Sequence, residues 1–189
     1  MKKLISVVRK LGGETMKVLT FGIVSLGVIF AVPAVAENPA DLNDLEIAHV
    51  AYSADNIDIK YAHLALALSD NPDVRQFAKT MIRDHEAVNK AALELLDKLG
   101  AQAQDNFLSQ TLNKNSEKII TDLAALRGVE FDRAYAANEL AYHKAVNELV
   151  EHSFIPNIEN EEVKALFKQG LEIFKAHEGH AEMMVKKLK

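Results

Sequence analysis

The stretch from Asn71 to Gly100 sets the strongest constraint on how this chain can fold. Asn71 is a good N-cap, Pro72 suits the first helical position, and Gly100 fits just past a helix end. Between them Val74, Phe77, Ala78, Met81, Val88, Ala92, Leu95 and Leu99 recur at helical spacing and mark one face for burial. A helix of this length has to lay its stripe against partners of similar length. His85 falls on the same stripe. A buried imidazole without a partner costs on the order of 1 to 3 kcal/mol, so the fold has to bring polar groups to it.

Four further segments read as helices. The first runs from about Asp44 to Ser69 with the stripe Ile47, Ala51, Ala54, Asp58, Tyr61, Ala65 and Leu68, which places a carboxylate among small and apolar neighbours. The tight link Asp70-Asn71-Pro72 predicts antiparallel packing of this helix on the next. A weaker segment, about Phe107 to Arg127, reads as a crossover that Gly128 ends or kinks. The next helix runs from about Glu130 to Phe154, with Phe131, Tyr135, Tyr142, Val146, Leu149 and Val150 inward, and Glu139 and His143 one turn apart. Pro156 then breaks the chain. The last helix starts near Asn160 with the stripe Val163, Leu166, Phe167, Gly170, Ile173, Phe174, His177, Ala181 and Met184; His180 neighbours His177. Four long helices and a crossover predict an all-α, four-helix bundle over residues 44–189.

The N-terminal region carries an address. Lys2, Lys3, Arg9, Lys10 and Lys17 precede the apolar run Val18 to Val32, and Ala34 and Ala36 form an A-x-A cleavage pattern. Residues 1–36 are therefore expected to be a signal peptide cleaved after Ala36, with residues 37–43 a flexible leader. The expected mature chain is exported, periplasmic or peripheral to the outer membrane, with no integral span. Met16 is an alternative translation start. Without residues 1–36 the 22 Lys and Arg fall to 17 and the 27 acids to 26, moving the formal charge from -5 to -9. Such a surface is a poor phosphate-backbone binder, which argues against nucleic acid as a partner and leaves an envelope protein as the expected one. The absence of cysteine excludes thiolate metal sites, a cysteine nucleophile and a lipid-anchoring cysteine.

The inward polar candidates are Asp58, His85, Glu139, His143, His177 and His180. Counted from the first interhelical turn, Asp58 and His85 each lie about 13 residues away, or about 20 Å along the axis, so they are level. Counted from Pro156, His143 and the pair His177 and His180 differ by about 12 Å or more. Two chemistries fit the set. One is a histidine and carboxylate site for a transition metal such as zinc, copper or iron; the other is a buried hydrogen-bond network without metal. A di-iron carboxylate bundle needs two Glu-x-x-His motifs, and only Glu46 with His49 has that spacing, so ferroxidase chemistry is not supported. His177-Glu178-Gly179-His180 is one residue short of a zinc-protease signature. Asp132 is read as favourable charge at a helix start and Arg133 as solvated. No nucleophile triad or phosphate loop is present, so the chain leans away from an enzyme.

Asn56-Ile57-Asp58-Ile59, Phe77-Ala78-Lys79-Thr80-Met81-Ile82-Arg83-Asp84-His85, Gly128-Val129-Glu130-Phe131-Asp132-Arg133-Ala134-Tyr135, His143 and His180 together resemble the bacterial domain of unknown function 4142 family. The resemblance spans about Leu45 to Leu188. It implies a ferritin-like helical fold and export, and it points to His180 as the last member of the polar set. Family members are often labelled outer-membrane proteins. The departures here are Asp58 in place of a Glu, Tyr142 in place of an acid, and Phe174-Lys175 in place of a Leu-Pro pair. The resulting expectation is an exported bundle binding a transition metal through Asp58, His85, His143 and His180, with His177 and Glu139 in support. The alternative is a non-catalytic structural, interaction or stress-response protein of the envelope.

Overall fold

A computed structural model describes residues 38–189. The signal-peptide expectation lies outside the described residues, apart from the leader's end. There Pro39–Asp41 form a 3-10 turn capped by Asn38, and Leu42 is buried in the core.

The helices are α1 (Asp44–Leu68), α2 (Pro72–Lys98), α3 (Phe107–Ala124), α4 (Gly128–Leu149), a single turn α5 (Ile155–Asn157) and α6 (Glu161–Lys187). Each long helix but one begins on an asparagine. Asn43, Asn71, Asn106 and Asn160 each accept two backbone N–H groups of the first turn, satisfying donors that have no partner within the helix. The exception is α4, where Gly128 takes φ +57° and turns the chain out of α3. Gly100, at φ +63°, ends α2 in the same way.

Polar clasps at the two ends fix the direction of each helix. At one end Ser69 donates to Asp132 near the start of α4, and Arg133 donates to the carbonyls of Leu188 and Lys189. At the other, Asp44 accepts the backbone N–H of Glu159 and Asn160, while Gln104 N–H bonds to the Leu45 carbonyl. Thus α1 and α6 run one way and α2 and α4 the other, and α3 carries the chain back along the bundle between α2 and α4. Asp132 is buried and Arg133 ties down the C-terminal turn. Both do more than the helix-end charge and solvated side chain expected of them, because the helix termini they serve meet there.

The core has two apolar parts. One, at the α1–α2 turn, includes Tyr61, Val74, Phe77, Met81, Phe131, Tyr135 and Met184. The other, at the α4–α6 turn, includes Leu42, Ile47, Val50, Phe154, Ile158, Val163 and Leu171. Between them lies a layer of buried polar side chains: Asp55, Asp58, His85, Glu139, His143 and His177. On α2 the buried line past His85 runs through Asn89 and Leu96, and Leu99 is 37% exposed. Among the described residues no helix is long and apolar enough to cross a membrane.

Candidate metal centre

The layer is assembled from all four bundle helices. Asp55 and Asp58 sit one turn apart on α1, His85 on α2, Glu139 and His143 one turn apart on α4, and His177 on α6. The level placement of Asp58 and His85 holds: His85 Nε2 lies 2.8 Å from Asp58 Oδ2. The 12 Å offset between His143 and His177 does not, since their ring centroids are 5.4 Å apart. Pro156 is not the pivot. Helical winding continues past Leu149 through a π-helical turn, Val150–Phe154, and then α5, so the chain reverses only at Ile158 to Asn160. His180 is not part of the layer either. It is exposed and borders a surface cleft with Phe77 and Met183, because the inner stripe of α6 runs Phe174, His177, Ala181, Met184 and leaves His180 at its outer edge.

Each imidazole of the layer is held by one nitrogen and offers the other. His143 Nδ1–H donates to the Glu139 carbonyl at 3.0 Å; a carbonyl only accepts, so the proton is on Nδ1 and the lone pair on Nε2. His177 Nε2–H donates to Asp84 at 3.0 Å, leaving the lone pair on Nδ1. His85 Nδ1 pairs with Asp55 at 2.7 Å, directing Nε2 inward. The inward atoms converge. Donor atoms of His85, His143 and His177 lie within 4.8 Å of one another, as do those of Asp58, Glu139 and His143.

These inward atoms lack hydrogen bonds. His85 Nε2, His143 Nε2, His177 Nδ1, both Asp58 oxygens and both Glu139 oxygens are buried without a partner of hydrogen-bond geometry. The short approaches of His85 and His143 to Asp58 Oδ2, at 2.8 and 3.3 Å, are charge contacts without that alignment. Unpaired groups of this kind each cost on the order of 1 to 3 kcal/mol; protons on His85 and Glu139 that face Asp58 offset part of this, and the inner nitrogens of His143 and His177 are left without a donor.

Burial and mutual charge set the protonation states. Burial pulls His177 down to about 4 and lowers His143, so both are neutral donors at neutral pH. Burial also opposes a charged His85, but the Asp58 and Asp55 carboxylates beside it outweigh this and raise it to about 10. Asp58 is pushed up by burial and more strongly down by His85 and His143, reaching about 2. Burial, reinforced by the Asp58 charge, raises Glu139 well above the usual carboxylate range and keeps it protonated. Asp84 is lowered by its bond from Arg83, so it is an ionised acceptor for His177.

Phenols and an aromatic ring frame the layer. Tyr142 donates to the Ala54 carbonyl at 2.9 Å, and the buried Tyr135 hydroxyl has no partner. Phe174 stacks on His85 with centroids 4.6 Å apart. The sequence reading omitted Asp55 and gave Asp84 no role. Asp55 had a usable signal: it is three residues before Asp58 and so shares its helix face. Asp84 had only its place in the Met81-Ile82-Arg83-Asp84-His85 run of the resemblance, since a residue adjacent to a buried one normally points to solvent.

A family described as Domain of unknown function (DUF4142) has a model that matches residues 31–184. No curated protein and no solved structure matches the chain.

Proposed function

Because the chain belongs to the domain of unknown function 4142 family, whose description assigns no activity, we propose its role from the geometry: it is a metal-binding helical bundle. The ligands are His85 Nε2, His143 Nε2 and His177 Nδ1 with Asp58 and Glu139. One observation carries this reading: each imidazole is anchored by its outer nitrogen and turns its inner one toward the Asp58 and Glu139 carboxyls. Outer anchoring of this kind fixes tautomer and ring orientation in metal-ligating histidines. Three nitrogens and carboxylate oxygens without sulfur suit zinc, iron or copper(II). Two donors on one such ion lie at most about 4.2 Å apart, and within each of the two triads that share His143 the donor atoms lie within 4.8 Å of one another.

The basic and apolar N-terminal run with its A-x-A pattern supports export, which places the protein in the envelope as part of this proposal. A second reading rests on His85. Held between Asp55 and Asp58 at 2.7 and 2.8 Å, it already forms a buried ion cluster, as a structural or partner-binding bundle would keep.

Elemental analysis of untagged protein after exposure to zinc, iron and copper separates the two. The metal reading expects near-stoichiometric ion in the parent and in His180→Ala, and its loss in His143→Ala and His177→Ala. No bound ion in the parent, or equal ion in all four proteins, sinks it.

A further inference from the structure

The half of the bundle nearer the α4–α6 turn contains a cavity of about 170 Å³ that touches the polar layer at one end. Asp55 and Phe174, the acceptor and the stacking partner of His85, are part of its wall. The rest is apolar, with Val50, Leu149 and Phe154 among the lining residues. Gly170 also lines it; a side chain there would project toward Phe174 and Val88.

One polar group in this wall is unaccounted for. Asn89, 7% exposed and one turn beyond His85, has its Oδ1 buried without a hydrogen-bond partner. Asn89 and Tyr52 line both the cavity and an outer cleft between α1 and α2, so they stand between the two. An apolar chamber with one well-placed polar group is the usual design of a small-molecule site.

The geometry points to this chamber as a binding site for a small neutral phenol or alcohol whose hydroxyl donates to Asn89 Oδ1. A dry cavity of about 150 Å³ suffices to hold benzene, so the occupant has an apolar body of about six to eight carbons. Its charge follows from the surroundings. A carboxylate would face Asp55 at the polar end, and a cation would find only that Asp55 carboxylate, already engaged by His85 at 2.7 Å, and one neutral amide in otherwise apolar walls. A hydroxyl supplies the donor that Asn89 lacks at little desolvation cost. The site stands apart from metal binding, since none of the inward-facing donor atoms is needed for it.

Phenol is the probe, with benzene as its comparison, titrated calorimetrically into the full chain after treatment with EDTA. Phenol is expected to bind at one site and more tightly than benzene. Ala51→Leu with Ala92→Leu fills the chamber from α1 and α2 and is expected to weaken phenol by about tenfold or more. Gly170→Ala, whose added carbon would meet Phe174 and Val88 at ordinary contacts of 3.7 and 4.0 Å, is the milder filling variant and should weaken it severalfold. Asn89→Leu should bind phenol and benzene alike. Absence of phenol binding to the folded parent at millimolar concentration overturns the proposal, as does unchanged binding in both filling variants. Because the titration is metal-free, its failure leaves the metal reading standing, and a protein without metal leaves this one standing.

Discussion

The ring of His85 lies flat on the ring of Phe174, with centroids 4.6 Å apart and planes 11° from parallel. The imidazole therefore has a fixed plane as well as a fixed Nδ1 contact, and its charged form rests on an aromatic face, which is favourable by about 0.5 to 2 kcal/mol. Phe174→Leu should lower the titration midpoint of His85 by about half a unit to one unit, read from its imidazole NMR shifts. Phe174→Ala should cost about 3 to 5 kcal/mol of stability through the void it leaves, measured by urea unfolding.

Asp84 orients His177 from outside the centre, accepting its Nε2–H at 3.0 Å while held by Arg83. Asp84→Ala should weaken metal binding by about 10- to 100-fold. The side chain is partly exposed, so the melting temperature of the metal-free protein should move little. An equal loss of affinity and stability would make Asp84 a structural residue only.

Metal should enter by displacing protons. His85, raised to about 10, and Glu139, raised well above the carboxylate range, both carry a proton at pH 7 that a ligand must give up. Calorimetry in buffers of different ionisation enthalpy should show release of about one to two protons per ion. Zero release would mean that neither residue is a ligand.

Stability of the metal-free protein should fall as pH rises above about 6.5. His85 titrates near 6.5 when unfolded and about 10 when folded. Its stabilisation is fully present below the first value and lost as pH rises through the second. Glu139 and Asp55, both raised by burial, act in the same direction from their lower unfolded values. His177, lowered by burial to about 4, acts oppositely: its stabilisation is present above about 6.5 and lost as pH falls through 4. A decline from about 6.5 toward 10 is expected in thermal melts under EDTA, flattened in His85→Gln, while below 6.5 His177 opposes Glu139 and Asp55. Rising stability over that alkaline range would contradict the assignment.

Gly179 lies inside α6 with open space around it, so Gly179→Ala should stabilise by about 0.8 to 1 kcal/mol. Gly128→Ala meets no neighbour either, but its φ of +57° should make the same change destabilising. Paired thermal melts decide both signs.

Capping asparagines, a proline at the first turn of α2 and Gly100 made the helix ends legible, because each acts through local backbone chemistry. Asp58 and His85 could be placed level because the link between their helices is three residues with one obvious pivot. The link from α4 to α6 hid its pivot. A π-helical turn and Pro156 inside continued winding leave no strong mark in sequence, so the count to His177 began in the wrong place. His180 shows a different limit. Helical periodicity alone put His177 on the inner stripe, and resemblance to a family pattern favoured its neighbour. Asp55 and Asp84 were passed over because an acid in a helix normally belongs to solvent, and only coordinates show which acids hold an imidazole.

Asp55, Asp58 and His85 all belong to the first hairpin, so the charge cluster of this bundle is encoded between residues 44 and 98. Glu139 and His143 follow with α4, and His177 waits for the C-terminal helix. The donors are thus laid out along the chain with the ionic part first and the last neutral nitrogen at the end. A nascent or shortened chain lacking α6 carries paired charges without a finished pocket for an ion, and the arrival of the final helix completes both the fold and the donor set in one event.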